Sequence, residues 1–296
     1  MTDLQLVRQF YAEEVRVCAN LQTPALASAF ARVQREKFLG PGPWQIAQPG
    51  GASSTYWTTP NADPVHVYHN VLIAIDPVRH LNNGQPASLA MWMDALDLKP
   101  GTHVLHVGCA TGYYSAILAE TVGPGGHVWA IDVEPALAEQ AAANLSNLPQ
   151  VSVACADGWD FDAGTRDAIF INAGATHPNP RWLRSLAPGG TLVVPLTVIL
   201  PGTPHSSGVM LKVTKTTGGY AAAFFSPVAI YALSHGRSDE WNSKLIKALS
   251  SRQWGEVRSL RMDPHSPDQS CFCHGDELCL SKTAIQPFTG DLASTS

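Results

Sequence analysis

The stretch Val104-Leu105-His106-Val107-Gly108-Cys109-Ala110-Thr111-Gly112-Tyr113-Tyr114 restricts what this chain can fold into more than any other. Val104, Leu105 and Val107 suit a strand covered on both faces, and Ser115-Ala116-Ile117-Leu118-Ala119-Glu120 continues as a helix. Between them, Gly108 and Gly112 stand where a turn needs positive φ or where a ligand comes close to bare backbone. The helix after the turn points unpaired N–H groups at whatever binds, so a nucleotide-type ligand is the expected occupant. Alone the pattern is loose, because glycine turns between strand and helix also serve packing.

The downstream chain strengthens the expectation. His127-Val128-Trp129-Ala130-Ile131-Asp132 is a second apolar strand ending in an acid, and Asp132 falls about 20 residues past Gly112, where such folds hold a ribose diol. Val151 to Trp159 reads as a third strand whose Asp157-Gly158 end is placed to meet an adenine amino group. Arg166 to Ala175 is a fourth, delivering Asn172 to the same edge. Ligands of open α/β sheets sit outside the carboxyl ends of the strands, which makes Asn172 and His177 acceptor-side candidates.

Together these segments resemble the S-adenosylmethionine-dependent methyltransferases, and among them the protein-L-isoaspartate O-methyltransferase group. The likeness runs from Pro24 to Trp241, with its most specific markers at Asn83-Gly84-Gln85-Pro86, the glycine turn with Tyr113, Ala156-Asp157-Gly158-Trp159, and Leu186 to Pro195. It implies an α/β fold: a Rossmann-like, mostly parallel twisted sheet with helices on both faces, N-terminal helices and a C-terminal β-rich extension. It also implies S-adenosyl-L-methionine as cofactor, held by Asn82, Asn83, His106, Gly108, Cys109, Ala110, Thr111, Gly112, Tyr113, Asp132, Val133, Asp157, Gly158, Asn172 and Ser234. Gly84, Gln85, Asn172 and His235 are the catalytic candidates.

Two positions depart from the family pattern. Gly84 stands where the family carries an active-site serine, and His106 stands where its glycine turn is preceded by an acid. Glycine has no hydroxyl to orient a carboxylate. Asn82, Asn83 and Gln85 offer amide donors and acceptors instead. The expected function is therefore methylation of a carboxylate on a peptide, protein or small metabolite, with isoaspartyl repair itself doubtful. A tailoring methyltransferase for a small-molecule oxygen or nitrogen, and a cofactor-binding protein without turnover, are the alternatives. A phenol, amine or hydroxyl acceptor would profit from a base, for which His66, His69, His177 and His235 are available. A nicotinamide oxidoreductase fits the Asp157-Gly158 and Asn172 strand ends poorly.

The rest of the chain bounds this reading. Its 296 residues, 45% hydrophobic and 15% charged, suffice for one large core with appendages. A net charge of -5 without a basic run argues against nonspecific nucleic-acid binding. With no membrane-length apolar segment and no signal pattern at Met1-Thr2-Asp3-Leu4, a soluble cytoplasmic protein is expected, its oligomeric state open. Helices are expected over Leu4 to Leu21, Pro24 to Phe38, Ser88 to Leu98 and Ser238 to Leu249, and a hairpin across Thr216-Thr217-Gly218-Gly219. Gly40 to Pro64 reads as a loop anchored by Trp44, Tyr56 and Trp57, and Ala284 to Ser296 as a loose tail. The domains expected are an N-terminal helical and loop segment (1–80), a methyltransferase domain (81–241) and a C-terminal extension (242–296).

Cys18, Cys109 and Cys155 are expected as small hydrophobes. Cys271, Cys273, His274 and Cys279 lie close in sequence, and a metal site is the sharper of two readings for them. A regular strand points Cys271 and Cys273 to one face and His274 to the other, so two short strands about a Gly275-Asp276 turn are expected and no metal is assigned.

Overall fold

The Asp3 carboxylate accepts hydrogen bonds from the N–H groups of Gln5 and Leu6, an N-cap that starts α1 (Leu4–Ala19). Tyr11, Val15 and Ala19 recur every fourth residue and are the buried stripe of that helix. The structure, a computed structural model, describes residues 3–48, 55–199 and 206–285, and the chain forms two units, Met1–Ala163 and Gly164–Ser296. The expected Ala284 to Ser296 tail falls largely outside the described residues.

In the first unit, α2 (Pro24–Arg32) ends earlier than expected. Val33 turns extended, and only a single 3-10 turn, Arg35–Phe38, follows. This break carries Arg35 inward to full burial, where its guanidinium donates to the carbonyls of Val67, His69 and Val71 at 2.8, 2.8 and 2.9 Å. A continuous helix could not deliver the guanidinium to those three carbonyls. Short antiparallel pairs follow: β1 (Gln45–Ala47) with β2 (Tyr56–Thr58), and β3 (Ala74–Asp76) with β4 (Leu81–Asn82). Trp44 is buried and anchors the loop as expected, whereas Trp57 is exposed; residues 49–54 of that loop lie outside the described ones.

Next comes α3 (Pro86–Asp94), which opens at the proline because its fixed φ suits a first helical turn. Strands and helices then alternate: β5 (His103–Val107), α4 (Tyr113–Val122), β6 (His127–Asp132), α5 (Pro135–Leu145) and β7 (Val151–Cys155). The three strands run parallel, with Val104 opposite Val128 and Val128 opposite Val151. Helical crossovers permit that direction where a tight hairpin would not. The N-terminal helix joins this core directly, because the hydroxyls of Tyr11 and Tyr113, both buried, lie 3.1 Å apart.

The second unit holds β8 (Arg166–Ile171), α6 (Pro180–Ser185), β9 (Leu186–Val198), β10 (Ser206–Thr216), β11 (Gly219–Ile230), α7 (Asp239–Ser250), β12 (Ser259–Arg261), β13 (Cys271–His274) and β14 (Cys279–Ser281). β8 and β9 are parallel, and among the described residues the ladders that join β9 through β14 are antiparallel. The α/β class stands, but parallel pairing gives way to antiparallel from β9 onward. The chain there returns through hairpins, and the expected hairpin closes with Thr216 opposite Gly219. Pro188-Gly189-Gly190 lies inside β9. It bulges within β9, where Arg166 to Ala168 on one side spans Leu186 to Thr191 on the other.

Two cysteines differ from expectation. Cys18 and Cys155 are exposed, one on the outer face of α1 and one closing β7, while Cys109 is buried. Among the described residues, no helix is long and apolar enough to cross a membrane.

Candidate functional site

The glycine turn is fastened to the end of β6 by three backbone N–H groups. Those of Gly108 and Cys109 donate to the Ile131 carbonyl at 2.8 and 3.0 Å, and that of Ala110 donates to Asp132 Oδ2 at 2.8 Å. Asp132 Oδ1 accepts from Glu134 N–H at 3.0 Å. Each oxygen keeps a further lone pair for a hydroxyl. The carboxyl is only 8% exposed, and that burial raises its pKa, with the backbone donors pulling the other way.

The turn ends at Gly112, which N-caps α4 with φ 94°. A Cβ there would lie 2.8 Å from Leu145 Cδ1, so α5 packs directly on bare backbone. Among the described residues, Thr111 Oγ1 is buried without a hydrogen-bond partner, and so is Asn83 Oδ1 on the turn before α3. Buried acceptors in that condition are costly, and they suit a polar ligand lying beside them. Asp157 follows β7 half-buried and accepts from Trp159 N–H at 2.9 Å, with Gly158 buried next to it.

The Asn82 to Gln85 turn is linked to α4, because Tyr114 donates its hydroxyl proton to the Gly84 carbonyl at 3.1 Å. Asn82 is already engaged, accepting from Tyr56 Oη at 2.9 Å and donating to the His80 carbonyl at 2.9 Å. Gln85 is exposed. Gly84 adopts φ 83°, and a Cβ would meet Leu89 Cδ2 at 3.0 Å and Tyr114 Cε2 at 3.2 Å. A side chain at this position would be strained in that conformation. Gly84→Ser is expected to lower unfolding free energy by about 1–2 kcal/mol in chemical denaturation, and an unchanged midpoint would mean that the turn relaxes freely.

His106 differs from its expected role. Its side chain is fully buried with Nδ1 2.8 Å from Ser115 Oγ, and burial depresses its pKa to about 3, so it is a neutral imidazole within the core. In the same unit His66 lies 3.1 Å from Asn61 Oδ1, and His69 is exposed.

The second unit carries the remaining candidates. Asn172 follows β8 half-buried, and Ser234 and His235 are exposed. His177 stacks on Trp241 with ring centroids 5.0 Å apart, and burial, helped by the Arg237 charge, lowers its pKa to about 4. Arg237, which the sequence did not single out, ties this region together. It donates to the Gly174 carbonyl at 2.6 Å and to the Thr197 carbonyl at 2.9 Å.

Strand, glycine turn, helix and acid-ended second strand form the nucleotide-binding half of a Rossmann-like α/β unit. Residues 59–222 match the family described as Protein-L-isoaspartate(D-aspartate) O-methyltransferase, and the chain belongs to that family of S-adenosylmethionine-dependent enzymes. Named relatives agree. The protein-L-isoaspartate O-methyltransferase of Ignicoccus hospitalis is 36% identical over 152 residues, half of this chain and 70% of that one. Protein-L-isoaspartate O-methyltransferase 1 of Cupriavidus necator is 32% identical over 54% of this chain and 60% of its own length. The Opitutus terrae protein is 29% identical over 71% and 79%. Among solved structures, a putative protein-L-isoaspartate O-methyltransferase from Plasmodium falciparum, in complex with S-adenosyl-L-homocysteine, shares the fold with a TM-score of 0.58 at 15% identity, over 77% of this chain and 98% of that one.

Proposed function

We propose that this methyltransferase esterifies a carboxylate carried by a peptide, protein or small metabolite, and that the glycine turn, Asp132 and the Asp157-Gly158 end hold its cofactor. The observation that carries the reading is Asp132: an enclosed carboxylate oriented by two backbone N–H groups, with acceptor capacity left on both oxygens. In this reading it grips the ribose diol, Asp157 with Gly158 faces the adenine, and Asn83 and Thr111 offer their unpartnered oxygens to polar parts of the cofactor. When bound, S-adenosylmethionine supplies an electrophilic methyl group on a sulfonium. The protein's part is then alignment and exclusion of water, from which much of a displacement's rate gain comes.

A carboxylate acceptor is anionic at neutral pH and asks for no base. The histidines suit that economy: His106 is enclosed and His177 is held neutral, each with its pKa depressed by burial. Gly84 supplies only a carbonyl already bonded to Tyr114, so an acceptor must be positioned by Asn83 or Gln85 and not by a hydroxyl. The test is to supply labelled methyl donor with an isoaspartyl peptide, its aspartyl counterpart and a panel of carboxylic, phenolic and amine acceptors. Products should be base-labile methyl esters, with the isoaspartyl peptide a poor acceptor. Base-stable ethers or N-methyl products would overturn the carboxylate reading in favour of a tailoring methyltransferase.

A further inference from the structure

Beyond the residues that match the family, β13 and β14 carry an arrangement that a regular strand would forbid. The pairing register shifts between Cys271 and Cys273, so that Cys271 faces Ser281, Cys273 faces Leu280 and His274 faces Cys279. This bulge adds one residue to β13, reverses the alternation beyond it and turns Cys271 and His274 to the same side. Cys279 joins them from directly across the ladder, and the preceding loop brings His265 alongside. One ligand atom from each of His265, Cys271, His274 and Cys279 lies within 4.8 Å of all the others.

We propose that these four side chains form a structural Zn2+ site of the Cys2His2 type that fastens the C-terminal strands. Zn–S and Zn–N bonds of about 2.3 and 2.0 Å in a tetrahedron place sulfur and nitrogen ligands roughly 3.5 Å apart. Cys271 Sγ stands 3.6 Å from His265 Nε2 and 3.9 Å from His274 Nδ1. A small contraction closes the set.

The surroundings match the chemistry. His265 Nδ1 lies 2.8 Å from the Asp263 carbonyl, which can only accept, so that nitrogen carries the proton and Nε2 presents its lone pair toward Cys271. The Asp268 N–H donates to Cys271 Sγ at 3.4 Å, an outer contact that orients the sulfur, and Asp268 Oδ1 lies 3.6 Å from it. Two thiolates neutralise the ion. Cys279 is buried and the other three are half-buried, as in a closed four-ligand site. The site has a purpose in the fold as well: β12, β13 and β14 are only three or four residues long, and a bound metal would staple β13, β14 and the loop before them together.

The experiment is elemental analysis of the full-length protein purified under reducing conditions without added metal, followed by replacement with Co2+. Expected are about one zinc per chain, and a cobalt spectrum with tetrahedral ligand-field bands and a thiolate charge-transfer band. Cys271→Ser and Cys279→Ser should each lose the zinc. Cys273→Ser should keep it, since that thiol faces away, and this control stands even if the other variants fail to fold. Substoichiometric zinc with all thiols reactive, a Cys271–Cys279 disulfide in its place, a cobalt spectrum without thiolate bands, or equal zinc loss from Cys273→Ser would each overturn the proposal.

Discussion

Asp132→Ala is expected to weaken S-adenosylhomocysteine binding by roughly a hundredfold in titration calorimetry. Two hydrogen bonds to a charged acceptor contribute about 1.5 kcal/mol each, and about 3 kcal/mol corresponds to that ratio. The substitution acts twice, because the same carboxylate accepts from Ala110 and Glu134, so the turn loses its fastening along with the diol partner. A pH series tests the assignment independently. Burial lifts the Asp132 carboxyl above the usual carboxylate range, and only the ionised form accepts from both backbone and ligand. Affinity should therefore fall as pH is lowered through that raised value and recover above it, and the alanine variant should lack the dependence. Wild-type affinity in Asp132→Ala would remove the ribose assignment.

The largest stability effect is expected at Arg35. Arg35→Met should cost about 3–5 kcal/mol, a large share of the 5–15 kcal/mol typical of a folded domain. Methionine fills much of the volume but leaves the Val67, His69 and Val71 carbonyls without their donor. Lysine should not rescue, since a point charge cannot reproduce a planar fork that reaches three carbonyls at once. The guanidinium also lies 5.7 and 5.8 Å from the Tyr11 and Tyr113 ring centroids, so α1 and α4 lose a shared cation–π partner. Denaturant midpoints of the three proteins decide the matter; a loss under about 1 kcal/mol would show that water takes over those carbonyls.

Much of the fold and part of the site were legible in sequence because the signals are local. A buried strand, two glycines and a helix occupy consecutive residues from Val104 onward, and Asp132 follows from the spacing of one βαβ unit. What stayed hidden depends on residues far apart in the chain. Arg35 reads as one charge in a polar run, and nothing local says that three carbonyls some 30 positions away will enclose it. Arg237 hides for the same reason, its partners lying on Gly174 and Thr197. His106 sits at a position where the resemblance implies a ligand contact, but its hydrogen-bond partner Ser115 lies in the first turn of α4, beyond the glycine turn. The bulge in β13 inverts a face assignment that strict alternation makes from Cys271 to His274. One extra residue in a strand leaves no mark on composition.

The hydroxyl pair between Tyr11 and Tyr113 sets a boundary for engineering. The matched stretch begins at residue 59, so trimming to that homology looks like a natural way to obtain a minimal catalyst. Such a trim would remove Tyr11 and Arg35 with the first two helices, leaving the Tyr113 hydroxyl without its partner and the Val67, His69 and Val71 carbonyls without their donor. The leading helix is therefore part of the packing that carries the glycine-turn helix, although it lies outside the matched stretch.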